Sequence, residues 1–164
     1  MKTLIVMRHA KSDWSTAAGG DHDRPLNARG RSAAEALGAW LRDEDLLPDQ
    51  VLCSSARRTR ETCERLGLPP DVAVQHTRDL YLAEPDRILR VLHNAEGQRV
   101  LVIGHNPGIG EFAEDVLDTP PEDPDFARYP TGATLVATVD IATWGKMDRA
   151  AARADRFIVP RELT

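Results

Sequence analysis

Short apolar segments alternate with segments of helical periodicity along most of this 164-residue chain. Apolar runs at 3–7, 51–53 and 99–103, rich in β-branched residues, are typical of buried strands. Between them apolar residues recur at helical spacing, as from Ala33 to Leu41. Such alternation favours parallel strands joined by right-handed helical crossovers. We therefore expect an α/β three-layer sandwich with a mostly parallel central sheet and helices on both faces.

Capping and turn residues place the other elements. Asn27 is a candidate N-cap, and Pro85 suits the first position of a later helix. The remaining predicted elements are helices over 56–66 and 109–117, strands over 72–74 and 133–141, and an edge strand over 156–159. The proline-rich acidic segment 120–130 is expected to be a loop. A chain of this length is typical of one domain, here 1–164.

Composition argues against several classes of function. The net charge of −5 disfavours nucleic-acid and membrane-surface partners, which need a basic surface. No segment has the length of a signal-peptide core or a membrane span, and Cys53 and Cys63 are the only cysteines. We therefore expect a cytoplasmic protein. The histidines show no metal-binding spacing, so no metal site is expected, and the oligomeric state stays open.

Basic and imidazole side chains follow three of the predicted strands. Arg8 and His9 end the first strand, a cluster of arginines at 57–60 follows the second, and His105 follows the strand at 99–103. The carboxyl ends of parallel strands meet at one edge of a sheet, where α/β proteins build their sites. Helix N-termini at that edge add N–H donors for an anion. The sequence therefore predicts a pocket for a phosphoryl group.

Arginine and histidine suit phosphoryl transfer for different reasons. A guanidinium keeps its charge and offers a fork of donors to phosphate oxygens, and Arg8 and Arg58 are the candidates. The choice of Arg58 over its neighbours in 57–60 depends on geometry. A neutral imidazole attacks phosphorus, and nearby arginines should lower the pKa of His9. An acceptor such as a backbone carbonyl would fix its tautomer. His105 would donate to a phosphoryl oxygen.

Each of these features also has a structural interpretation. A lone histidine at a strand end is more often structural than catalytic. The arginines of 57–60 could form a solvated helix face, and 104–108 could be only a tight turn. The other histidines, His22, His76 and His93, lie on predicted loops or helix surfaces and are expected to be exposed.

Taken in order, the motifs resemble the histidine phosphatase superfamily, also called the phosphoglycerate mutase-like family. Three motifs carry the resemblance, and they span nearly the whole chain: Arg8-His9, the segment 54–62 and Gly104-His105. The short length, residues 7–12, and 24–27 followed by Gly30 are similar to the SixA branch, the phosphohistidine phosphatases. Alanine at position 10, where many members have glycine, is interpreted as a trait of this branch.

The resemblance implies a phosphoglycerate mutase-like fold and a phosphohistidine intermediate on His9. By motif position, Arg8 and Arg58 would clamp the phosphate and His105 would be the second histidine of the pocket. Ser12 would be a phosphate-binding residue of the pocket loop. No metal or organic cofactor is implied.

This chain departs from the larger members of the superfamily at the proton donor. Those members carry a clear glutamate or aspartate that protonates the leaving alcohol. The corresponding segment, 79–86, matches poorly, and it leaves Glu84 as the first candidate and Asp86 as the second. Both could instead simply favour a helix N-terminus. A weak acid suits a phosphoramidate, because imidazole leaves with a conjugate acid of pKa ~6.5 and needs less protonation than an alkoxide.

The substrate expected from this chemistry is a protein phosphorylated on histidine. One alternative is a general phosphomonoesterase of the same superfamily that acts on small phosphate esters. Another, from a different class, is an inactive phosphate-dependent binding module. The intact set of Arg8, His9, Arg58 and His105 argues against the binding module, since a binder needs no nucleophile.

Overall fold

The computed structural model describes residues 1–15 and 19–163. The strands are β1 Lys2–Arg8, β2 Gln50–Ser54, β3 Ala73–Thr77, β4 Arg99–Gly104, β5 Thr134–Val139 and β6 Ala152–Ile158. The helices are α1 Ala28–Asp43, α2 Arg57–Arg65, α3 Pro85–Leu92 and α4 Gly108–Val116. Short 3-10 turns lie at Asp21–Asp23, Arg78–Leu80, Trp144–Lys146 and Pro160–Leu163. In this part of the chain no helix has the length and apolar character needed to cross a membrane.

The strands form one six-stranded sheet in the order β3-β2-β4-β1-β5-β6. Neighbours among the first four are parallel, whereas β5 is antiparallel to β1 and β6 is antiparallel to β5. The carboxyl ends of β1, β2 and β4 therefore meet at one edge of the sheet. The expectation of a mostly parallel central sheet is confirmed.

Alternate residues of β1 pack on opposite faces of the sheet, which explains its continuous apolar run. Leu4 and Val6 belong to the core on the side of α3 and α4, with Ile88 and Phe112 as neighbours in that cluster. Ile5 and Met7 belong to the opposite core, which also contains residues of α1 and α2 such as Leu37 and Cys63. A strand buried on both faces shows no polar alternation, and the two helical layers cover the sheet as expected.

Local sequence signals set most helix boundaries. The Asn27 side chain accepts a hydrogen bond from the Gly30 amide at 2.8 Å, so α1 begins at Ala28 as the N-cap predicts. Pro85 is the first residue of α3, also as predicted.

Edge strands differ most from the prediction. The strand expected at 72–74 runs over Ala73–Thr77, and its residues are largely exposed. The last strand, expected at 156–159, runs over Ala152–Ile158. An edge strand that faces solvent contains many polar residues, so apolar periodicity marks only part of it.

Gly30 fixes the first turn of α1 against the loop after β1. A Cβ atom built on Gly30 would lie 2.0 Å from the Lys11 carbonyl oxygen, a backbone atom that cannot move independently. We expect Gly30→Ala to lower the free energy of unfolding by about 1–3 kcal/mol in urea denaturation. The control is Gly145→Ala, whose added Cβ would meet no atom closer than 3.8 Å. Equal stability of the two variants would contradict this packing.

Candidate active site

A pocket of about 340 Å³ opens at the carboxyl ends of β1, β2 and β4. Its lining residues are Arg8, His9, Lys11, Ser12, Trp14, Asp21, Arg24, Arg58, Leu82, His105, Asn106 and Thr131. The parallel register explains the convergence, because Arg8 of β1 lies opposite Gly104 of β4, and His9 and His105 follow directly. The structure therefore brings together the predicted residues of three separate strand ends.

The backbone fixes the tautomer of His9. Its Nδ1 lies 2.6 Å from the Ala10 carbonyl oxygen, and a carbonyl can only accept, so Nδ1 carries the hydrogen of the neutral ring. The lone pair then lies on Nε2. Burial lowers the pKa of His9 to about 3, against the opposing effect of the Ala10 hydrogen bond, and the charges of Arg8 and Arg58 lower it further. The ring is therefore neutral near neutral pH, with burial as the larger cause.

His105 lies beside His9, with the two ring centroids 5.3 Å apart. Its Nε2 is 2.7 Å from Ser54 Oγ, which itself accepts from the Ala56 amide at 3.3 Å. When the serine hydroxyl donates to Nε2, the ring hydrogen of the neutral His105 lies on Nδ1. That buried Nδ1 has no hydrogen-bond partner among the described residues. Burial, and then the neighbouring His9, lower the pKa of His105 to about 2.

Arg8 and Arg58 keep unused donors in the pocket. Arg8 donates from Nη1 to the Tyr129 carbonyl at 3.2 Å, and Arg58 donates from Nη1 to the Asp21 carbonyl at 2.8 Å. The Nε of each arginine is buried and unpartnered within the described part of the chain. Burial and the charge of Arg58 lower the pKa of Arg8, so the two cations are close enough to repel. An anion between them would relieve this repulsion.

Geometry singles out Arg58 within 57–60. Its side chain is buried, whereas Arg57 and Arg60 are exposed. Arg57 pairs with Glu61 one helical turn later, with Nε and Oε1 3.2 Å apart. Only one side of a helix faces the sheet edge, so Arg57, Arg58 and Arg60 cannot all face one pocket.

Asp21 was not identified from the sequence, although it is the carboxylate in the lining of this pocket. Its Oδ2 lies 3.1 Å from Arg58 Nη2 and 2.5 Å from the Tyr81 hydroxyl, and its Oδ1 lies 3.1 Å from Arg24 Nε. Although burial opposes the shift, hydrogen bonds from Tyr81 and Arg58 lower the pKa of Asp21 to about 2. The carboxylate is therefore charged at neutral pH.

Arg24 is a third arginine of the pocket, and it is almost fully buried. Its Nη1 donates to Ser12 Oγ at 2.8 Å, and its guanidinium lies 3.5 Å from the ring centroid of Trp14. Ser12 thus lies in the pocket wall, with its hydroxyl oxygen held by Arg24, and its role in phosphate binding stays a prediction. The segment 24–27 is part of the family resemblance, and the position of Arg24 in that segment is the sequence signal for this residue.

The two candidate proton donors lie elsewhere. Glu84 is exposed at the start of α3, where its side chain makes no capping hydrogen bond, and it lines a separate groove on the surface. Asp86 pairs with Arg149 at 3.0 Å in that groove. Neither carboxylate lines the pocket that contains His9.

Two of the other histidines are less exposed than expected. His22 Nε2 lies 2.9 Å from Ser55 Oγ, and its ring packs edge-on against Tyr81 with centroids 4.8 Å apart. His93 Nε2 lies 2.9 Å from the Met147 carbonyl oxygen. Tertiary partners from distant segments partly cover these rings, and local sequence does not reveal such partners. His76 is exposed, as predicted.

Residues 1–15 and 19–163 contain no group of three or more His, Cys, Asp or Glu side chains that could hold a metal ion. What the arrangement offers chemically is an unprotonated imidazole nitrogen, guanidinium donors without partners, and a neutral second imidazole. These groups match the geometry and charge of a phosphoryl group.

Comparison with known proteins agrees with this chemistry. Residues 4–81 match the family model described as the histidine phosphatase superfamily, branch 1. A solved structure from Nakamurella multipartitia, assigned as a phosphohistidine phosphatase SixA, is 30% identical; it covers 97% of this chain and 96% of its own, with a TM-score of 0.84. This chain belongs to the histidine phosphatase superfamily.

Two further relatives match over most of this chain. An uncharacterised protein of Mycobacterium tuberculosis is 34% identical in an alignment of 163 positions that covers 94% of this chain and 100% of the relative. The phosphohistidine phosphatase SixA of Escherichia coli is 28% identical in an alignment of 145 positions that covers 84% of this chain and 85% of the relative. Membership and the SixA-like fold support a phosphatase of this family.

Two buried neutral histidines predict a loss of stability in acid. The pKa values of His9 and His105 in the folded protein, about 3 and about 2, are below the ordinary value of ~6.5. At a pH between the folded and the ordinary value, the unfolded chain therefore binds more protons than the folded chain. Their contribution is present above pH ~6.5 and decreases as pH falls, by up to about 1.4 kcal/mol per pH unit for each ring. His9→Asn and His105→Asn should each reduce the slope of unfolding free energy against pH.

Urea denaturation between these pH values measures that slope. Gly30→Ala is the control, because it lowers stability without changing a titratable group and should keep the slope of the unmodified protein. If the histidine variants also keep that slope, the two rings are not buried in neutral form.

Proposed function

We propose that this protein is a metal-independent phosphatase that uses His9 as nucleophile and removes phosphate from phosphohistidine in proteins. The observation that carries the proposal is the state of His9. Its Nδ1 is committed to the Ala10 carbonyl at 2.6 Å, its ring is neutral, and Arg8 and Arg58 line the same pocket with unpartnered Nε atoms. A positioned neutral imidazole between cationic donors is what attack on a phosphoryl group requires.

In the first step, Nε2 of His9 forms a bond to phosphorus as the bond from phosphorus to the leaving group breaks. Arg8 and Arg58 hold the equatorial oxygens, and Nδ1–H of His105 donates to one of them as charge develops. The Nδ1–H of His9 stays hydrogen-bonded to the Ala10 carbonyl oxygen. This contact stabilises the positive charge that the ring gains. The leaving nitrogen of the substrate departs with the electron pair of the bond to phosphorus. It leaves as neutral imidazole when the other ring nitrogen of the phosphohistidine already carries a proton, and otherwise it takes a proton from solvent.

In the second step, water attacks the phosphorus of the phosphorylated enzyme. The bond between phosphorus and Nε2 breaks, its electron pair returns to His9, and the water protons pass to the phosphate product and solvent. The same donors hold the oxygens in both steps. His9 returns to its neutral form because burial keeps its pKa low.

The acid–base properties of the pocket support phosphohistidine as substrate. Asp21 is charged, with a pKa of about 2, and Glu84 and Asp86 line a different groove. Within the described lining of the pocket, no carboxyl group is in a protonated state at neutral pH to protonate an alkoxide. Imidazole is a far weaker base than an alkoxide and leaves without such help. The SixA relative of Escherichia coli is a phosphohistidine phosphatase by name, which agrees with this substrate.

Steady-state kinetics test the proposal. In excess EDTA, we expect phosphate release from a phosphohistidine peptide to be faster than from p-nitrophenyl phosphate, and both to be much faster than from glycerol phosphate. His9→Ala should lower kcat for all three by about 1,000-fold or more, because it removes the nucleophile. His76→Ala, which changes an exposed histidine of β3, should leave kcat unchanged.

The result identifies which function is correct. Faster turnover of glycerol phosphate than of the phosphohistidine peptide would contradict the proposed substrate and favour a general phosphomonoesterase. Tight phosphate binding without turnover of any substrate would favour the binding module. Loss of activity in EDTA that added metal restores would contradict the metal-independent mechanism.

Asp21 competes with a bound phosphoryl group for Arg58. The carboxylate accepts from Arg58 at 3.1 Å and adds a negative charge to the wall of the pocket. Asp21→Asn removes that charge while it keeps an oxygen for Arg58. We expect inorganic phosphate to inhibit this variant about tenfold more strongly, since removal of a like charge a few ångströms away favours a dianion. Weaker inhibition would mean that Asp21 acts instead by holding Arg58 in place.

A further inference from the structure

Two exposed hydrophobic side chains lie in the wall of the catalytic pocket. Among the described residues, the large hydrophobic side chains that are exposed are Met1, Trp14, Val74 and Leu82. Trp14 is 77% exposed and Leu82 is 54% exposed, and both line the pocket that contains His9. Single exposed hydrophobic residues need no explanation, but two in the wall of one catalytic pocket point to a ligand surface.

Trp14 is exposed, yet one face of its ring is held. The guanidinium of Arg24 lies 3.5 Å from the centroid of the indole. Arg24 is buried, and it is fixed by hydrogen bonds to Ser12 and Asp21. The indole therefore rests on a cationic plane. No described residue makes a ring contact with its opposite face, which can receive a second planar group.

Leu82 adopts a backbone conformation that does not favour a leucine. Its φ of 51° lies in the left-handed region, where the Cβ atom is close to the backbone. The side chain gains little burial in return, since more than half of it is exposed. Strain of this kind persists where the surrounding chain imposes it, often at ligand sites. Here Tyr81 is held by Asp21, and Ala83 is buried, so the chain turns sharply between them.

We propose that Trp14 and Leu82 form the leaving-group subsite of this phosphatase and accept a planar aromatic ring, the imidazole of a phosphorylated histidine. The ring stacks on the free face of Trp14 and packs against Leu82 while its phosphoryl group lies among Arg8, His9 and Arg58. The inference rests on the proposed function, because it places the leaving group next to the phosphorus that His9 attacks.

An apolar subsite selects by shape and stacking. An alcohol or sugar leaving group would need polar partners for its hydroxyl groups, whereas a flat ring gains from contact with an indole face. The subsite also has a kinetic signature. The leaving group has departed before water attacks the phosphorylated enzyme, so these side chains act only in the first step.

Substitution of each side chain tests the subsite. We expect Trp14→Ala to lower kcat/KM about tenfold for a phosphohistidine peptide and for p-nitrophenyl phosphate, and to change kcat/KM for glycerol phosphate less than twofold. Leu82→Ala should have a smaller effect in the same direction, and Trp14→Phe should restore most of the loss. Val74→Ala is the control, because Val74 is an exposed apolar residue of β3 outside the pocket.

Rapid-quench measurement of the phosphorylated enzyme separates a subsite from a structural role. If the proposal is correct, Trp14→Ala slows formation of the phosphoenzyme and leaves its hydrolysis rate unchanged. Equal losses for all substrates, together with slower hydrolysis of the phosphoenzyme, would mean that Trp14 only supports Arg24, and would overturn the proposal. An effect on p-nitrophenyl phosphate but not on the phosphohistidine peptide would overturn the assignment to a histidine ring.

Failure of the proposed function gives a different pattern. The unmodified protein would then turn over no phosphohistidine peptide, or His9→Ala would remain active. Both results are independent of whether Trp14 and Leu82 discriminate between aryl and alkyl phosphates. A lack of discrimination in those two variants, with an active unmodified protein that depends on His9, rejects the subsite alone.

Discussion

Parallel pairing of β1 with β4 is the constraint on which the active site depends. The register sets Arg8 opposite Gly104, and the His9 amide continues the pairing by donating to the Gly104 carbonyl at 3.1 Å. His9 and His105 therefore leave adjacent strands at the same level, and their rings lie 5.3 Å apart. A shift of one residue would reverse the faces of Leu4 to Met7 between two filled cores, so burial on both faces enforces this register.

The same edge ties α2 to the nucleophile. Thr62 Oγ1 accepts from the Ala10 amide at 3.0 Å and donates to the Arg58 carbonyl at 2.7 Å. One hydroxyl thus connects the residue that orients His9 to the backbone of the arginine that faces it. Positive charges outnumber negative ones around this connection. The described lining of the pocket contains Arg8, Lys11, Arg24 and Arg58, and one carboxylate, Asp21, which pairs with Arg24 and Arg58. The pocket is therefore suited to an added anion, while burial keeps both histidines neutral.

Much of this arrangement could be predicted from local sequence, and the missing part has a common physical cause. The apolar run of β1 and the residues after each strand predicted the sheet edge and the meeting of Arg8, His9, Arg58 and His105. Asp21 and Arg24 act through partners 37 and 12 positions away in the chain, at Arg58 and Ser12. No periodicity marks such contacts. Glu84 was predicted as the proton donor from its residue type and its place in the segment 79–86, whereas the structure places it in another groove. The edge strands β3 and β6 were predicted too short, because strands that face solvent can contain polar residues and then lack a continuous apolar pattern.

The most direct test of the central claim is to map the phosphorylated enzyme after rapid mixing with a phosphohistidine peptide in EDTA. Quenched protein is digested in base, which preserves phosphohistidine, and the modified peptide is identified by mass spectrometry and phosphorus NMR. The Nδ1 contact with the Ala10 carbonyl leaves Nε2 as the attacking atom, so the account predicts phosphorus on Nε2 of His9. Phosphorus on Nδ1, on His105 or on no residue during active turnover would contradict it.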